Sequence, residues 1–314
     1  MNRPATRRVI RIAEFGGPEV LRFESIPTPA PGEGELLVKV AAAGVNPVDY
    51  KIRSGKYPAV KQDKLPYVLG RDVAGTVVEC GASTSGFSEG DSLFAMPGIE
   101  RGGYAEYSVV KVTEAAAKPA SLNFVQAGGV PLAALTAWQG LFKYGNLAAG
   151  QRVLIHGGSG GVGHFAIQFA KAKGAYVATT ASSGQLDFVR RLGADEAIDY
   201  KAQRFEDVVK QIDVIFDLVG GETQERSWAV LKQGGIMVST LTEPSKAQAE
   251  RHGAKGVRYT VTESGADLAS IGGLIDAGKV HPVITKTYQL KDAAAAQRYL
   301  EHEHPPGKVV LLVG

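Results

Sequence analysis

A glycine-rich segment constrains the fold of this chain more than any other feature of its sequence. In VLIHGGSGGVGHFAIQFAKAKG, which begins at Val153, residues Gly158, Gly160 and Gly163 satisfy the pattern G-x-G-x-x-G between a β run and an amphipathic helical run. A turn without Cβ atoms lets the backbone approach a pyrophosphate, whose charge the N-terminus of the next helix attracts. The context predicts a dinucleotide-binding loop, and the alternative is a glycine-rich turn of an ordinary α/β protein.

The rest of the chain shows two kinds of pattern. Short β-rich runs with Gly and Pro turns extend from Arg7 to about Lys118 and predict a partly open β-barrel. From about Val125, strands alternate with helical patterns, which predicts a parallel sheet wrapped by helices. β character returns in VHPVITKTYQL and GKVVLLVG. We therefore predict an α/β protein in which a doubly wound Rossmann domain, 125–280, is inserted into a β-barrel domain formed by 1–124 and 281–314.

The composition is that of a globular protein large enough for two domains. The chain has 314 residues, of which 44% are hydrophobic and 21% charged, and its net charge of +3 is not gathered into blocks. This balance predicts no nucleic-acid partner. No long apolar run and no apolar segment behind MNRPATRRVIRIAEF are present, so we expect no membrane anchor or signal peptide and a cytoplasmic protein. The single cysteine, Cys80, excludes an internal disulfide and a multi-cysteine metal site.

The segment TTASSGQ bears on the choice of cofactor. In NAD-binding versions of the fold, an acidic residue about 20 positions after the glycine loop holds the ribose 2′-hydroxyl. Here Thr180, Ser182 and Ser183 occupy that neighbourhood and are able to donate hydrogen bonds to a 2′-phosphate without repelling it. The sequence therefore favours NADPH over NADH.

The chain also resembles a known family over nearly its whole length. The motifs, in order, are FGGPEVL, PGEGELLVKVAAAGVNPVDYKIRSGKYP, PYVLGRDVAGTV, GGYAEYSVV, PLAALTAWQGLF, the glycine segment, RLGADEAIDY, DLVGG and GKVVLLVG. Their order resembles that of the zinc-independent quinone oxidoreductase branch of the medium-chain dehydrogenase/reductase superfamily. The resemblance implies a GroES-like β domain, an inserted Rossmann domain, a cleft between them for the nicotinamide, NADPH, and reduction of quinones or α,β-unsaturated carbonyls.

Departures from the zinc-dependent alcohol dehydrogenases support this branch. Asn46 stands where those enzymes have a zinc-binding cysteine, and Gly70-Arg71-Asp72 stands where they have Gly-His-Glu. We therefore expect no metal site. Without a Lewis acid, a conjugated acceptor is the more suitable substrate, because hydrogen-bond donors are able to stabilise the resulting enolate or phenolate. One departure from the quinone oxidoreductases, Gln185 in place of a lysine, weakens the preference for NADPH.

The resemblance assigns roles to single residues. Asn46 matches a position near the nicotinamide ribose and substrate, where its amide is able to bond both; a turn residue before Pro47 is the competing interpretation. Asn46, Tyr50 and Lys51 are the candidate catalytic residues, with Tyr50, Lys51 or water as the proton donor. A solvated helix face is the alternative for Tyr50 and Lys51. The residues predicted to bind the cofactor are Asn46, Thr136, Gly158, Ser159, Gly160, Gly161, Val162, Thr180, Ser182, Ser183, Tyr200, Gly220 and Leu241.

Two functions of different classes follow from these patterns. The first is an NADPH-dependent quinone or enone oxidoreductase, and the second is a noncatalytic NADPH-binding redox sensor or scaffold. A complete second domain with Asn46 and Thr136 favours the enzyme, because a sensor needs only the nucleotide half. The segment VRYTV is a candidate edge strand for pairing two nucleotide domains, and the family implies a homodimer.

Overall fold

The structure, a computed structural model, describes residues 3–313 and divides into two compact units. The first unit comprises the chain up to Leu135, Glu263–Ala277 and the chain from Pro282 onward. The second unit comprises Thr136–Thr262 and Gly278–His281.

The elements alternate between the two units in chain order. The strands are β1 (Thr6–Ile12), β2 (Arg22–Pro27), β3 (Glu35–Val45), β4 (Tyr67–Val68), β5 (Val73–Cys80), β6 (Ser92–Ala95), β7 (Tyr107–Lys111), β8 (Ala115–Ala117), β9 (Arg152–His156), β10 (Tyr176–Ala181), β11 (Glu196–Asp199), β12 (Ile212–Asp217), β13 (Leu231–Ser239), β14 (Lys255–Arg258), β15 (Ile284–Gln289) and β16 (Lys308–Leu312). The α-helices are α1 (Pro47–Arg53), α2 (Phe124–Gly128), α3 (Pro131–Trp138), α4 (Gly163–Ala172), α5 (Leu186–Arg191), α6 (Phe205–Val208), α7 (Gly221–Ser227), α8 (Lys246–Arg251), α9 (Gly265–Asp276) and α10 (Ala293–Glu303), and a π-helix follows α3 at Gln139–Tyr144.

The first unit is built around β3, whose eleven residues ELLVKVAAAGV are mostly buried. This strand pairs antiparallel with β5, β7 and β16 in a seven-stranded sheet, and β1 forms a smaller sheet with β2 and β4. Side chains such as Leu36, Val38 and Val309 share one core with the fully buried Tyr104. Strands from both ends of the chain therefore close one domain, as predicted for a GroES-like fold with an insertion.

Two segments lie in a different unit from the one the sequence predicts. Residues 125–135 and α9 belong to the first unit, not to the nucleotide domain of 125–280. At the start of α9, a Cβ on Gly265 would lie 2.3 Å from the carbonyl oxygen of Ala115 in β8. At its end, Asp276 accepts hydrogen bonds from the N–H and hydroxyl of Ser121, at 3.0 and 2.7 Å. These contacts place α9 in the first unit. The sequence did not indicate this, because a local helical pattern does not reveal which sheet the helix covers.

The second unit is a parallel sheet with the order β11-β10-β9-β12-β13-β14. Counted from β9, this is the 3-2-1-4-5-6 order of a doubly wound dinucleotide-binding fold. Val153, Leu154 and Ile155 of β9 are fully buried, as expected for a central parallel strand covered on both faces. The strand order reverses between β9 and β12, and the carboxyl ends of these strands are where such folds bind ligands. Among the described residues, no helix has the length and apolar character needed to cross a membrane.

Candidate active site

The loop between β9 and α4 lies at this switch point, and two of its positions require glycine. A Cβ on Gly163 would lie 2.2 Å from the carbonyl oxygen of Gly157, and one on Gly158 would lie 2.0 Å from Oγ1 of Thr179. A Cβ on Gly160 would meet only the carbonyl oxygen of Gly157, at 3.5 Å. The packing of the loop itself therefore does not require glycine at position 160. The absence of a side chain on Gly160 keeps the backbone open to a ligand.

The same loop presents backbone donors. Gly158 and Gly160 donate their N–H groups to carbonyl oxygens of the second unit. The N–H groups of Ser159, Gly161 and Val162 have no acceptor within residues 3–313. They precede the N-terminus of the ten-residue helix α4, where the helix dipole also favours an anion. Several unpaired donors at a helix N-terminus fit the diphosphate of a dinucleotide.

Thr180 braces this loop, which corrects its predicted contact with a 2′-phosphate. Its buried hydroxyl lies 3.1 Å from Nδ1 of His156 and accepts the N–H of Gly157 at 3.3 Å. Ser227 donates its proton to the carbonyl of Thr223, so Ser227 accepts from Nε2 of His156, at 2.9 Å. Nδ1 of His156 is then the acceptor for the Thr180 hydroxyl. The Thr180 proton is therefore used inside the domain.

The other predicted contacts with the 2′-phosphate lie nearer the surface. Ser182 is half-buried, and Tyr200 is 58% exposed, with the Lys201 ammonium 6.0 Å from its ring centroid. Ser183 donates its hydroxyl proton to Asp199 at the end of β11, at 2.5 Å. This hydrogen bond lowers the pKa of Asp199, which is therefore a carboxylate at neutral pH. The neighbouring strand thus supplies an acidic group that the segment TTASSGQ lacks.

A second set of predicted residues gathers at the carboxyl ends of β12 and β13. Asp217 accepts the N–H groups of Val219 and Gly220, at 3.0 and 2.8 Å, and so shapes the turn after β12. Gly220 has a φ of 75°, and a Cβ on it would touch Leu241 at 3.5 Å. Val219 and Leu241 are 50% and 37% exposed, and Val219 lies beside Gly157. These side chains give the glycine loop an apolar neighbour able to pack against a flat ring.

Thr136 does not lie at a helix end, where it could act as a cap. It lies inside α3, is buried, and its carbonyl accepts a hydrogen bond from the hydroxyl of Tyr259. The Tyr259 ring stacks on Tyr144 with 4.5 Å between centroids. Its neighbourhood is therefore fixed by aromatic packing within the second unit.

In the first unit, Asn46 belongs to a buried ionic cluster that the sequence did not indicate. Its Oδ1 accepts from the Lys308 ammonium, and its Nδ2 donates to Asp72 at 2.8 Å. Lys308 also pairs with Asp72 at 3.2 Å, and both side chains are almost fully buried. The remaining Nδ2 proton has only the distant carbonyl of Gly44, at 3.5 Å. The expectation that the amide bonds both ribose and substrate is therefore corrected, because at most one N–H remains for a ligand.

The neighbouring helix α1 contacts this cluster through Asp49, and in the described chain the side chains of Tyr50 and Lys51 form no hydrogen bond with the cluster. Asp49 is fully buried and accepts from the N–H of Asn46 and the hydroxyl of Tyr104, at 2.8 and 2.7 Å. Burial raises the pKa of Asp49 to about 7. Tyr50 and Lys51 are only half-buried, and burial raises the pKa of Tyr50, so its phenol stays protonated at neutral pH. Half-burial fits neither a fully solvated helix face nor a fully buried proton donor, so the choice between these two interpretations of Tyr50 and Lys51 stays open.

Sequence reasoning missed Asp72, Lys308, His156 and Asp217 as members of these networks. Lys308 and Asp72 are 236 positions apart, and their motifs GKVVLLVG and GRDVAG carry no mark of the pairing. His156 and Asp217, in contrast, end strands β9 and β12. A polar residue at the end of a buried parallel strand is a signal that could have found them.

Comparison with known proteins agrees with this geometry. Residues 32–120 match the model of the alcohol dehydrogenase GroES-like domain, and residues 192–311 match that of the zinc-binding dehydrogenases. The chain is 40% identical to the chloroplastic NADPH-dependent alkenal/one oxidoreductase of Arabidopsis thaliana, over 95% of this chain and 78% of that protein. The chain belongs to the medium-chain dehydrogenase/reductase superfamily, in its quinone oxidoreductase-like branch.

Solved structures of this branch share the fold over the full length. The quinone oxidoreductase of Coxiella burnetii superimposes with a TM-score of 0.92 at 35% identity, covering 98% of this chain and 100% of that one. The Escherichia coli quinone oxidoreductase, solved in complex with NADPH, gives a TM-score of 0.88 at 30% identity, with the same coverage. These matches confirm the predicted GroES-like and Rossmann architecture of this medium-chain dehydrogenase/reductase.

Proposed function

We propose that this chain is an NADPH-dependent oxidoreductase that reduces a quinone or an α,β-unsaturated carbonyl. The observation that carries the proposal is the glycine loop, with its unpaired N–H groups, at the switch point of a 3-2-1-4-5-6 sheet. The names of the relatives support the substrate class and the cofactor. When bound, NADPH supplies the hydride.

The chain's own residues hold and orient the reactants. Ser159, Gly161 and Val162 would hold the diphosphate through backbone N–H groups, and Gly160 would let the backbone approach it closely. Gly158 and Gly163 would keep that loop in place, and Val219, Gly220 and Leu241 offer an apolar surface beside it. Ser182 and Tyr200 are the predicted residues still available to a 2′-phosphate. Catalysis in this proposal is mainly positioning of the cofactor against the substrate.

The ionic cluster around Asn46 supports reduction without zinc. Asn46 stands where the resemblance places a zinc-binding cysteine in alcohol dehydrogenases, and Arg71 stands where it places the histidine of Gly-His-Glu. Asn46 and Asp72, the residue after Arg71, both contact the Lys308 ammonium, so a side-chain cation lies beside them. Among residues 3–313, no group of three or more His, Cys, Asp and Glu side chains is arranged to hold a metal ion. We therefore propose that Asn46 positions the substrate through its remaining N–H, held by Lys308 and Asp72.

Tyr50 and Lys51 are proposed as the proton donors for the reduced substrate. Substitution of each, as Tyr50→Phe and Lys51→Met, tests this role. A donor gives a lower kcat with an enone, whose enolate needs a proton at carbon, and a smaller loss with a quinone, whose product oxygens exchange protons with water. Equal and small effects with both substrates would leave water as the donor.

Binding and turnover measured on the same preparation test the function. We expect NADPH to quench the intrinsic fluorescence at low concentration, and its absorbance to fall on addition of 9,10-phenanthrenequinone or a small alkenal. Binding without turnover of any acceptor would support the noncatalytic sensor instead. Tighter binding of NADH than of NADPH would contradict the proposed cofactor preference.

We also propose a cytoplasmic homodimer. Support for the dimer comes from β14, which ends the six-stranded sheet and includes the first two residues of VRYTV. An unpaired strand edge offers backbone groups to a second copy. Elution at twice the chain mass of 33.1 kDa, with light scattering, is the expected result. A mass equal to one chain would contradict it.

A further inference from the structure

A cavity of about 490 Å³ lies within the first unit, and its lining includes no residue of the Asn46 cluster. Its volume falls in the range of sites for small molecules. Arg7 of β1, the segment before β4 and residues 99–102 contribute to its lining. Val60, Tyr67 and Ile99 give it apolar walls. Such walls favour a ligand with an apolar body.

Arg7 brings to this cavity a positive charge that has no direct ion-pair partner. Its Nη1 donates to the carbonyl of Tyr107, while its Nε is buried and has no hydrogen-bond partner. No carboxylate of residues 3–313 forms an ion pair with it. Burial without a compensating charge lowers the pKa of Arg7 to about 10, so the guanidinium is still charged at neutral pH. A partly buried cation without a counter-ion is costly in a folded protein.

The two acidic residues of the lining both contact Arg101 and not Arg7. Glu35 and Glu100 both bind the Arg101 guanidinium, with 2.6 Å between Arg101 and Glu100. Arg101 also pairs with Glu114, at 3.2 Å. Lys64, exposed at the rim, has no ion-pair partner in the described chain. Arg7 and Lys64 are therefore the cations of the lining that form no ion pair with a carboxylate of residues 3–313.

We propose that this cavity binds a small organic carboxylate, with the carboxylate on Arg7 and the apolar body against Val60, Tyr67 and Ile99. A carboxylate matches the planar donors of a guanidinium, and charge-assisted hydrogen bonds of this kind are stronger than neutral ones. Lys64 adds a second, more exposed cation. An inorganic anion would gain the charge contact but not the apolar contact. The site is separate from the proposed function and does not depend on it.

Titration calorimetry on the full chain tests the site, with 4-phenylbutyrate as the probe. We expect saturable binding near neutral pH, weaker binding of the neutral 4-phenyl-1-butanol, and weaker binding of inorganic phosphate. Arg7→Met should weaken 4-phenylbutyrate by about tenfold or more. Lys64→Met should weaken it less. Arg8→Met is the matched control, because Arg8 lies next to Arg7 on β1 but pairs with Glu106, and it should leave the affinity unchanged.

Several outcomes would overturn the site. These are no binding to the wild-type chain at millimolar 4-phenylbutyrate, equal binding by Arg7→Met, or equal binding of the neutral alcohol. Arg7→Lys serves if Arg7→Met does not fold, because it keeps the charge and loses the planar fork. Unchanged affinity in Arg7→Lys together with unchanged affinity in Lys64→Met would also contradict the proposal. None of these readouts uses NADPH turnover, so a failed oxidoreductase assay would leave this test intact.

Discussion

The imidazole of His156 carries its proton on Nε2, and this fixes the role of Thr180 beside it. Because Nδ1 accepts from the Thr180 hydroxyl and that hydroxyl accepts from Gly157, the three residues tie β9 and β10 to the glycine loop. We therefore expect Thr180 to affect cofactor binding through the loop and not through the 2′-phosphate. Its neighbour Thr179 is likewise turned inward, with its hydroxyl on the carbonyl of Ile155.

Thr180→Val should lower the affinity for NADPH and for NADH by the same factor. The variant leaves the Gly157 N–H and His156 Nδ1 without partners, which costs about 1–3 kcal/mol of stability. We expect the dissociation constants of NADPH and NADH, measured by fluorescence quenching, to rise by the same factor. A selective loss of NADPH binding would show that Thr180 contacts the 2′-phosphate after all.

Asp199→Asn should shift the preference toward NADPH. Its carboxylate accepts from Ser183 and from the N–H of Lys201, lies beside the segment TTASSGQ where a 2′-phosphate is expected, and would repel that group. Removing the charge should raise the affinity for NADPH a few-fold and leave the affinity for NADH unchanged or lower. Asp187→Asn, an exposed carboxylate on α5, is the matched control. An unchanged ratio of the two affinities would place Asp199 outside the phosphate site.

Lys308→Met should destabilise the first unit strongly. It leaves Asp72 buried without its cation, and breaking a buried pair in this way costs about 3–5 kcal/mol. Removing both charges, as Lys308→Met with Asp72→Asn, should recover much of that loss in urea unfolding. If the single and double variants are equally unstable, the pair contributes packing and not charge compensation.

At the scale of elements, glycine is required for two different reasons in the glycine loop and at the start of α4. Gly163 is required by packing, and Gly160 is expected to be required by the ligand. Gly163→Ala places a Cβ against the Gly157 carbonyl and should lower stability and cofactor binding together. Gly160→Ala has room in the loop, so its stability should match the wild type while NADPH affinity falls about tenfold or more. Thermal unfolding and NADPH titration on both variants check this. Unchanged affinity in Gly160→Ala would mean that the diphosphate lies elsewhere.

The contact that His156 makes between β9, β10 and α7 predicts sensitivity to acid. Burial lowers the pKa of His156 from its usual 6.5 to about 4, against the opposing charge of Asp217. Between these values the unfolded chain binds a proton that the folded chain does not, so the free energy of unfolding falls as the pH drops from 6.5 to 4. Urea unfolding across this range should show a smaller slope in His156→Gln, whereas the exposed His302→Gln should follow the wild type. Identical slopes in all three would contradict the neutral imidazole.

At the scale of the whole molecule, local patterns predicted the architecture but not the long-range polar pairs. Gly158, Gly160 and Gly163 were identifiable because their spacing and the flanking elements lie within one short segment. Lys308 and Asp72 meet only after the C-terminal strand β16 pairs with β3, so their contact depends on topology. The predicted domain boundary differs from that of the structure for a related reason. The sequence pattern of α9 indicates a helix but not the sheet that the helix covers.

The central claim is that this chain transfers hydride from NADPH to a conjugated acceptor. Incubation with NADPH carrying two deuterium atoms at C4, followed by mass spectrometry of the product of a small alkenal, tests it most directly. We expect one deuterium at the β-carbon of a saturated aldehyde, and little product from Gly160→Ala under the same conditions. Unchanged alkenal and quinone in the presence of bound NADPH would contradict the claim and support a cofactor-binding sensor.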